Sequence, residues 1–274
     1  MKQITAQTAA LAIFGDPVGH SLSPVMHNGW FEDHGLDAVY VALPVVGDAE
    51  RFFETLKRAR FKGANVTVPH KEAAAKGADR SDASVANVLR WEPDGSLSAF
   101  NTDGSGFLDA LNEAARDWRG RANRALILGA GGGAQGIAQA LSPHVDTIHL
   151  ANRTAGRADA VAKTIPNGRV LRWDDLERGF GAADLIINAT TLGMTGHPSP
   201  PWPVDFCKAG AIVVDIVYRP LETDLLAAAR KRGLVAVDGL GMLIHQGARA
   251  FELWFGVKPD VGKARARLLA ALNT

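Results

Sequence analysis

Arg124-Ala125-Leu126-Ile127-Leu128-Gly129-Ala130-Gly131-Gly132-Gly133-Ala134-Gln135-Gly136 is the stretch around which the rest of the chain can be read. Arg124 to Leu128 is a short apolar run of strand type, the glycines form a turn, and Ile137, Ala138 and Leu141 recur at helical spacing behind it. The pattern predicts strand, phosphate-binding turn, helix. Glycines suit such a turn because the backbone bends tightly and must come close to a pyrophosphate, while the helix start offers unpaired N–H groups and a positive dipole end. Two registers fit: G-x-G-x-x-A from Gly129 to Ala134, and G-x-G-x-x-G from Gly131 to Gly136. A glycine-rich turn can also be no more than a tight connection, so its surroundings decide.

The next predicted strand, Val145 to Leu150, would end in an acidic residue if the ligand were NAD, because a carboxylate there accepts hydrogen bonds from the ribose 2′-hydroxyl. It does not. The chain continues Ala151-Asn152-Arg153-Thr154-Ala155-Gly156-Arg157, placing an amide, a hydroxyl and two guanidinium groups where a 2′-phosphate would sit. The cofactor expected is NADP. An arginine pair at a helix start is ordinarily solvated surface, and it is the preceding glycine turn that gives this one a partner.

Composition narrows the class further. The 274 residues are enough for two domains, and 47% apolar with 22% charged residues is the balance of a globular protein with a large core. A net charge of +1, from 30 basic and 29 acidic residues without long blocks, gives no reason to expect nucleic acid or a membrane as partner. The single Cys207 rules out an intramolecular disulfide and a cysteine-rich metal site, which fits a reducing, cytoplasmic setting. No apolar run reaches the roughly 18 residues of a membrane span, and Met1 to Thr8 is polar.

From the start, Ala9 to Phe14 reads as a strand and Gly15-Asp16-Pro17 as a break. Ser21-Leu22-Ser23-Pro24 then opens a helix running to about His34, with Ser23 as N-cap and Pro24 at the first helical position. Val39 to Val45 (strand), Ala49 to Arg60 (helix) and Ala64 to Val68 (strand) follow, an alternation that implies parallel strands with crossover helices. In such sheets ligands bind beyond the carboxyl ends of strands, where Ser21 to Ser23 and Thr67-Val68-Pro69-His70-Lys71 both fall. Val85 to Trp91 and Leu97 to Phe100 flank the turn Glu92-Pro93-Asp94-Gly95, and an amphipathic helix is expected from Phe107 to Trp118. Beyond the glycine turn, strands are expected at Asp184 to Thr190, Ala211 to Val217 and Val235 to Asp238. Helices are expected at Leu225 to Arg232, Met242 to Phe255 and Pro259 to Leu272, the last two returning to the first domain. Gly196 to Pro203 is a proline-rich loop.

Taken together, the motifs resemble the shikimate dehydrogenase family over essentially the full length and in order. They are Ser21-Leu22-Ser23-Pro24, Asn65-Val66-Thr67-Val68-Pro69-His70-Lys71, Asn101-Thr102-Asp103, the glycine turn with Asn152-Arg153-Thr154, and Asn188-Ala189-Thr190-Thr191-Leu192-Gly193-Met194. Asp215-Ile216-Val217-Tyr218-Arg219-Pro220 and Gly239-Leu240-Gly241-Met242-Leu243-Ile244-His245-Gln246 complete the set.

The resemblance implies an α/β fold of two domains. A substrate domain with a mostly parallel sheet, residues 1–104 completed by helices in 240–274, would be joined to a Rossmann NADP-binding domain, 105–239, with the site in the cleft between. It implies reversible reduction of 3-dehydroshikimate to shikimate, with a small-molecule substrate and a monomer or homodimer. Lys71 would be the cation or acid that meets charge developing on the ketone oxygen, and Asp103 would orient it and bind a ring hydroxyl. Ser21 and Ser23 would bind the substrate carboxylate, Ser23 having its capping role as an alternative, with Asn65, Thr67, Asn87, Tyr218 and Gln246 completing the substrate shell. Gly129, Ala130, Gly131, Gly132, Gly133, Ala134, Asn152, Arg153, Thr154, Arg157, Thr190, Ile216 and Gly239 would hold the cofactor. His20, His27 and His70 carry no assigned role, since they match no metal-ligand set and the family chemistry needs no metal. One segment departs from the family pattern: Lys71 to Asn87 is short, and Val88 stands where the family has threonine. Oxidation of quinate or a related alicyclic hydroxy acid is therefore an alternative activity, and an idle NADP-binding sensor is a further one.

Overall fold

The computed structural model describes residues 3–81 and 83–273. It divides into two compact units, Met1–Thr102 with Ile244–Thr274, and Asp103–Leu243. In the first, β1 (Ala9–Gly15), α1 (Ser23–Asp33), β2 (Ala38–Pro44), α2 (Ala49–Leu56), β3 (Gly63–Val66), α3 (Lys71–Gly77), β4 (Arg80–Ser81), β5 (Val88–Trp91) and β6 (Leu97–Phe100) follow in order. Their sheet runs β2-β1-β3-β5-β6-β4. β1 pairs with β2 and β3 in parallel, as does β4 with β6, whereas β5 is antiparallel to both β3 and β6. β1 lies inside the sheet, and Leu11, Ala12, Ile13 and Phe14 are all buried, as befits a strand covered on both faces.

Several local expectations change. The first helix begins at Ser23 itself, its N-cap is Leu22, and no side chain caps it. Ser23 is therefore not the cap: the Ser21 hydroxyl instead accepts the N–H of Ser23 at 3.2 Å. α2 stops at Leu56, short of Arg60, because Arg58 and Ala59 donate three residues back, to Thr55 and Leu56, and this tightens and closes the last turn.

The second unit holds α4 (Asp103–Ala114), β7 (Arg124–Leu128), α5 (Gly132–Leu141), β8 (Thr147–Ala151), α6 (Ala155–Ala162), β9 (Gly168–Leu171), α7 (Leu176–Ala182), β10 (Leu185–Asn188), β11 (Ile212–Asp215), α8 (Asp224–Lys231) and β12 (Val235–Val237). The strands form one wholly parallel sheet in the order β12-β11-β10-β7-β8-β9. Ala125 and Ile127 of β7 enter one buried cluster and Leu126 and Leu128 another, so helices cover both faces. The order reverses between β7 and β10, which creates a crevice at the carboxyl edge there.

α9 (Gly239–Phe255) begins in the second unit and ends in the first, and α10 (Val261–Leu272) lies in the first. The units therefore part inside α9 rather than at 239, and at Asp103 rather than after Gly104. Asp103 and Gly104 already belong to α4, where Gly104 packs so tightly on the Gly136 carbonyl of α5 that a Cβ has no room. α10 is fastened within the first unit by Trp30 Nε1 donating to the Asp260 carbonyl at 3.0 Å and by Arg267 paired with Asp33 at 2.8 Å. Asp260 also caps α10 through the N–H of Lys263. Among the described residues no helix is long and apolar enough to cross a membrane.

Candidate active site

In the first unit two of the polar residues singled out from the sequence, Asn65 and Gln246, bond to a third, Asn87, which is 2% exposed. Its Oδ1 accepts the backbone N–H of Thr102 at 2.7 Å, and its Nδ2 donates to Thr102 Oγ1 and to Gln246 Oε1, each at 3.0 Å. A backbone N–H can only donate, so the Thr102 contact fixes which end of the Asn87 amide is oxygen, and through it the orientation of Gln246. Thr102 Oγ1 also donates to the Gln246 carbonyl at 3.1 Å, tying the end of β6 to α9.

Asn65 sits beneath this group. Its Oδ1 accepts from the Tyr40 hydroxyl at 2.6 Å and its Nδ2 donates to the Asn87 carbonyl at 3.1 Å. At 3% exposure, with both ends of its amide bonded inside the unit, Asn65 is a tie that holds Asn87. Burial pushes the Tyr40 phenol well above its ordinary pKa, with the buried Ser23 side chain acting weakly the other way.

Lys71 opens α3, immediately after the turn Thr67 to His70, and its side chain is half-buried. Its carbonyl accepts the N–H of Ala86 at 2.9 Å, which closes the short 71–86 segment and returns the chain to Asn87 beside the start of α3. Val88 is fully buried in β5, opposite Asn65 and Phe100. Thr67 is half-buried and approaches Gly15 so closely that no Cβ fits there.

His27 and His70 have structural settings. His70 Nε2 donates to the Val45 carbonyl at 2.9 Å. His27 is wholly buried and stacks on Tyr40 at 4.5 Å with Trp30 edge-on at 5.2 Å; burial lowers its pKa to about 3 and keeps it neutral. Among the described residues no three His, Cys, Asp or Glu side chains are placed to hold a metal.

In the second unit the glycine turn takes the register that starts at Gly129. That residue has φ +111°, in the region that favours glycine, and a Cβ on it would lie 2.7 Å from the Ala189 carbonyl. Its N–H donates to Ala151 at 2.8 Å, which joins the turn to the end of β8. Gly131 is the N-cap of α5 with no side chain capping, and a Cβ there would meet nothing within 4 Å. The first N–H groups of α5, over Gly132, Gly133 and Ala134, thus lack the usual cap and are suited to an anion. Gly136, third glycine of the other register, serves the contact with α4 instead.

Asn152 Nδ2 donates to the Thr154 carbonyl at 3.0 Å and shapes the turn after β8, leaving Arg153, Thr154 and Arg157 exposed. Among the described residues neither arginine has an ion-pair partner. Two unpaired guanidiniums beside an uncapped glycine turn fit a dinucleotide with an extra phosphate.

Across the crevice, beyond β10, Asn188 is fully buried. Its Oδ1 accepts the N–H and the hydroxyl of Thr190 at 3.1 and 2.7 Å, and its Nδ2 donates to Leu192 and to Asp215 Oδ1, each at 3.0 Å. Thr190 is thereby held in its turn. Gly239 lacks room for a Cβ against the Ile216 carbonyl, which presses the start of α9 onto the end of β11. Asp103 is buried at the first position of α4, and Tyr218 is half-buried beyond β11. Sequence reasoning missed Thr102, Asn188, Asp215 and Thr223. The available signal was a polar residue ending an apolar strand run, as at Leu185 to Asn188 and Ile212 to Asp215.

Residues 13–88 match the shikimate dehydrogenase substrate binding domain, residues 112–194 match shikimate/quinate 5-dehydrogenase, and residues 239–269 match the shikimate 5′-dehydrogenase C-terminal domain. A shikimate dehydrogenase (NADP(+)) of Roseobacter denitrificans is 43% identical over 266 residues, covering 94% of this chain and 96% of the relative. The chain belongs to the shikimate dehydrogenase family. Among solved members, shikimate 5-dehydrogenase from Thermus thermophilus, in complex with NADP(H) and shikimate, superposes with a TM-score of 0.83 at 35% identity, covering 96% of this chain and 99% of that one. A quinate dehydrogenase from Corynebacterium glutamicum in complex with NAD gives a TM-score of 0.88 at 30% identity, with the same coverage of 96% and 99%. The shared architecture is α/β with two domains, one of them a Rossmann unit.

Proposed function

We propose that this chain catalyses the reversible, NADP-dependent reduction of 3-dehydroshikimate to shikimate. It is an oxidoreductase of the NADP-dependent type, and its substrate is a small molecule. The observation that supports NADP over NAD most directly is the pair of unpaired arginines, Arg153 and Arg157, past a strand that ends in Ala151 rather than in a carboxylate.

When bound, NADPH supplies the hydride that reduces the carbonyl carbon. Lys71 then donates to the oxygen on which negative charge develops, and in the reverse direction it takes the proton from the hydroxyl. Ser21 and Ser23 hold the substrate carboxylate through their hydroxyls. Asn87 and Gln246, their amides oriented by Thr102, bind with Thr67 and Tyr218 to the carboxylate and the ring hydroxyls, and Asp103 accepts from a ring hydroxyl. The backbone N–H groups of Gly132, Gly133 and Ala134 hold the pyrophosphate, and Asn152, Arg153, Thr154 and Arg157 hold the 2′-phosphate. Ala130, Thr190, Ile216 and Gly239 line the rest. The protein works as a monomer or homodimer in the cytoplasm, where the buried thiol of Cys207 stays reduced.

A second reading, action on quinate, draws on the likeness to the quinate dehydrogenase. Initial rates with shikimate and quinate under both NADP and NAD separate the two, and the highest kcat/KM is expected for shikimate with NADP. Lys71→Ala should lower turnover by roughly 10²–10⁴-fold with a much smaller effect on shikimate binding. Turnover within a few-fold of wild type would remove Lys71 from the chemistry.

A further inference from the structure

The carboxyl edge of the second sheet is electrically lopsided. On one side of β7, past β8, stand the exposed cations Arg153 and Arg157; on the other, ending β11, stands the carboxylate of Asp215, which is 0% exposed. A dinucleotide bound where the strand order reverses rests its pyrophosphate on the glycine turn and spreads one half to each side. With the 2′-phosphate drawn to the arginines, the nicotinamide half falls over β10 and β11, on a rim that includes Thr190 and Ile216.

Asp215 is a hub of that rim. Oδ1 accepts from Asn188 Nδ2 and from the N–H of Val217, both at 3.0 Å, and Oδ2 accepts from Thr223 Oγ1 at 2.7 Å. Thr223 in turn caps α8. All three donors are neutral, and among the described residues Asp215 has no cationic partner. Of the charged groups on the elements packed around it, Asp238 Oδ1 accepts the N–H of Leu240, and Glu222 pairs with Arg230 at 2.7 Å. Asp224, Tyr218 and Arg219 flank the same turns.

A buried charge of this kind is costly, and burial pushes the Asp215 pKa up to about 6. An asparagine would fill the same space and keep the bonds from Asn188 and Val217, so packing alone does not call for a carboxylate. The oxidised nicotinamide ring carries a positive charge and the reduced ring is neutral.

We propose that the uncompensated carboxylate of Asp215 discriminates between the redox states of the cofactor, favouring NADP⁺ over NADPH. The proposal rests on the NADP reading above. Asp215 acts as a positioning residue, through its field and the rim it holds, without touching the reacting atoms.

The test is direct binding to the substrate-free protein, NADP⁺ by calorimetry and NADPH by its fluorescence, from pH 5 to pH 8. For the wild type, the preference for NADP⁺ over NADPH should rise with pH through about 6. Titration of the 2′-phosphate affects both ligands alike and cancels in the ratio. Asp215→Asn should weaken NADP⁺ on the order of tenfold at pH 8, the scale of one poorly screened charge, leave NADPH nearly unchanged and abolish the pH dependence of the ratio. Thr223→Val, which removes a hydrogen bond and keeps the charge, should preserve the ratio. Equal weakening of both ligands in Asp215→Asn, or a wild-type ratio that is flat with pH, would overturn the proposal; the second readout needs no variant to fold. A wild type that binds neither ligand would overturn the NADP reading itself, and this inference with it.

Discussion

The two units each build a buried polar hub at the carboxyl edge of a sheet, and the hubs differ in kind. Around Asn87 the bonds to Thr102 and Gln246 join neutral amides and a hydroxyl, and the order of donors and acceptors among them is dictated by one backbone N–H, that of Thr102. Around Asp215 neutral donors converge on a single ionisable group. The first arrangement stores direction, which suits recognition of hydroxyls and a carboxylate. The second stores charge, and it makes its side of the sheet responsive to pH. Buried amides and buried carboxylates are therefore not interchangeable means of satisfying donors: only the carboxylate carries a net charge, whose field reaches further than that of a single amide dipole.

The comparison breaks most visibly at Asn87. Asn87→Leu removes the bonds that hold the Thr102 N–H and the Gln246 amide oxygen, at about 1 kcal/mol for each bond lost. kcat/KM for shikimate should fall by roughly 10³-fold through loss of positioning. A loss below tenfold in steady-state assays would show that the hub does not set substrate geometry.

Gly129→Ala probes the second unit through shape alone. The new Cβ would sit 2.7 Å from the Ala189 carbonyl at a φ of +111°. The KM for NADP should rise by roughly 30-fold while that for shikimate holds, since the crevice distorts where the backbone must approach the pyrophosphate. Parallel changes in both constants would argue for a general loss of structure. Arg153→Ala should raise the KM for NADP by about tenfold and leave that for NAD as it was. Equal effects on the two cofactors would remove Arg153 from phosphate recognition.

The smallest effect is on stability. The folded pKa of Asp215, about 6, lies above the ordinary aspartate value of 3.8, so between those values the folded state binds more protons than the unfolded. The contribution of Asp215 to stability therefore falls as pH rises from about 4 to about 6 and is flat above. Relative to wild type, Asp215→Asn should gain stability over that window, by about 3 kcal/mol at most, in urea melts at a series of pH values. A difference that does not change between pH 4 and pH 7 would mean that the carboxylate is not held neutral by burial.

Much of this protein is written locally. The strand, turn and helix at Arg124 to Leu141 follow from apolar spacing and from glycines whose conformational freedom no other residue has, and the arginines after β8 mark the extra phosphate by charge alone. Lys71 could be named because it sits in a motif that keeps its place along the chain, whereas Asn87 closes the short segment that departs from the family pattern. The structure resolved what spacing left open. It chose the Gly129 register through one positive φ, gave Gly136 to helix packing, moved the start of α1 so that Ser23 is no cap, and made Asn65 a tie under Asn87.

Elements such as α3, α6, α7 and β9 lie in short or polar stretches with weak periodicity, and they are held by neighbours far away in sequence. The buried networks were the least legible. Thr102 meets Gln246 from 144 residues away, and Asp215 meets Asn188 from 27. Residue types and their spacing determined that this chain has an NADP-type crevice and the motifs of a shikimate dehydrogenase. Only the tertiary structure decided which polar side chains are buried together, because a hydrogen bond between distant residues depends on strand order and register, and no local pattern encodes those.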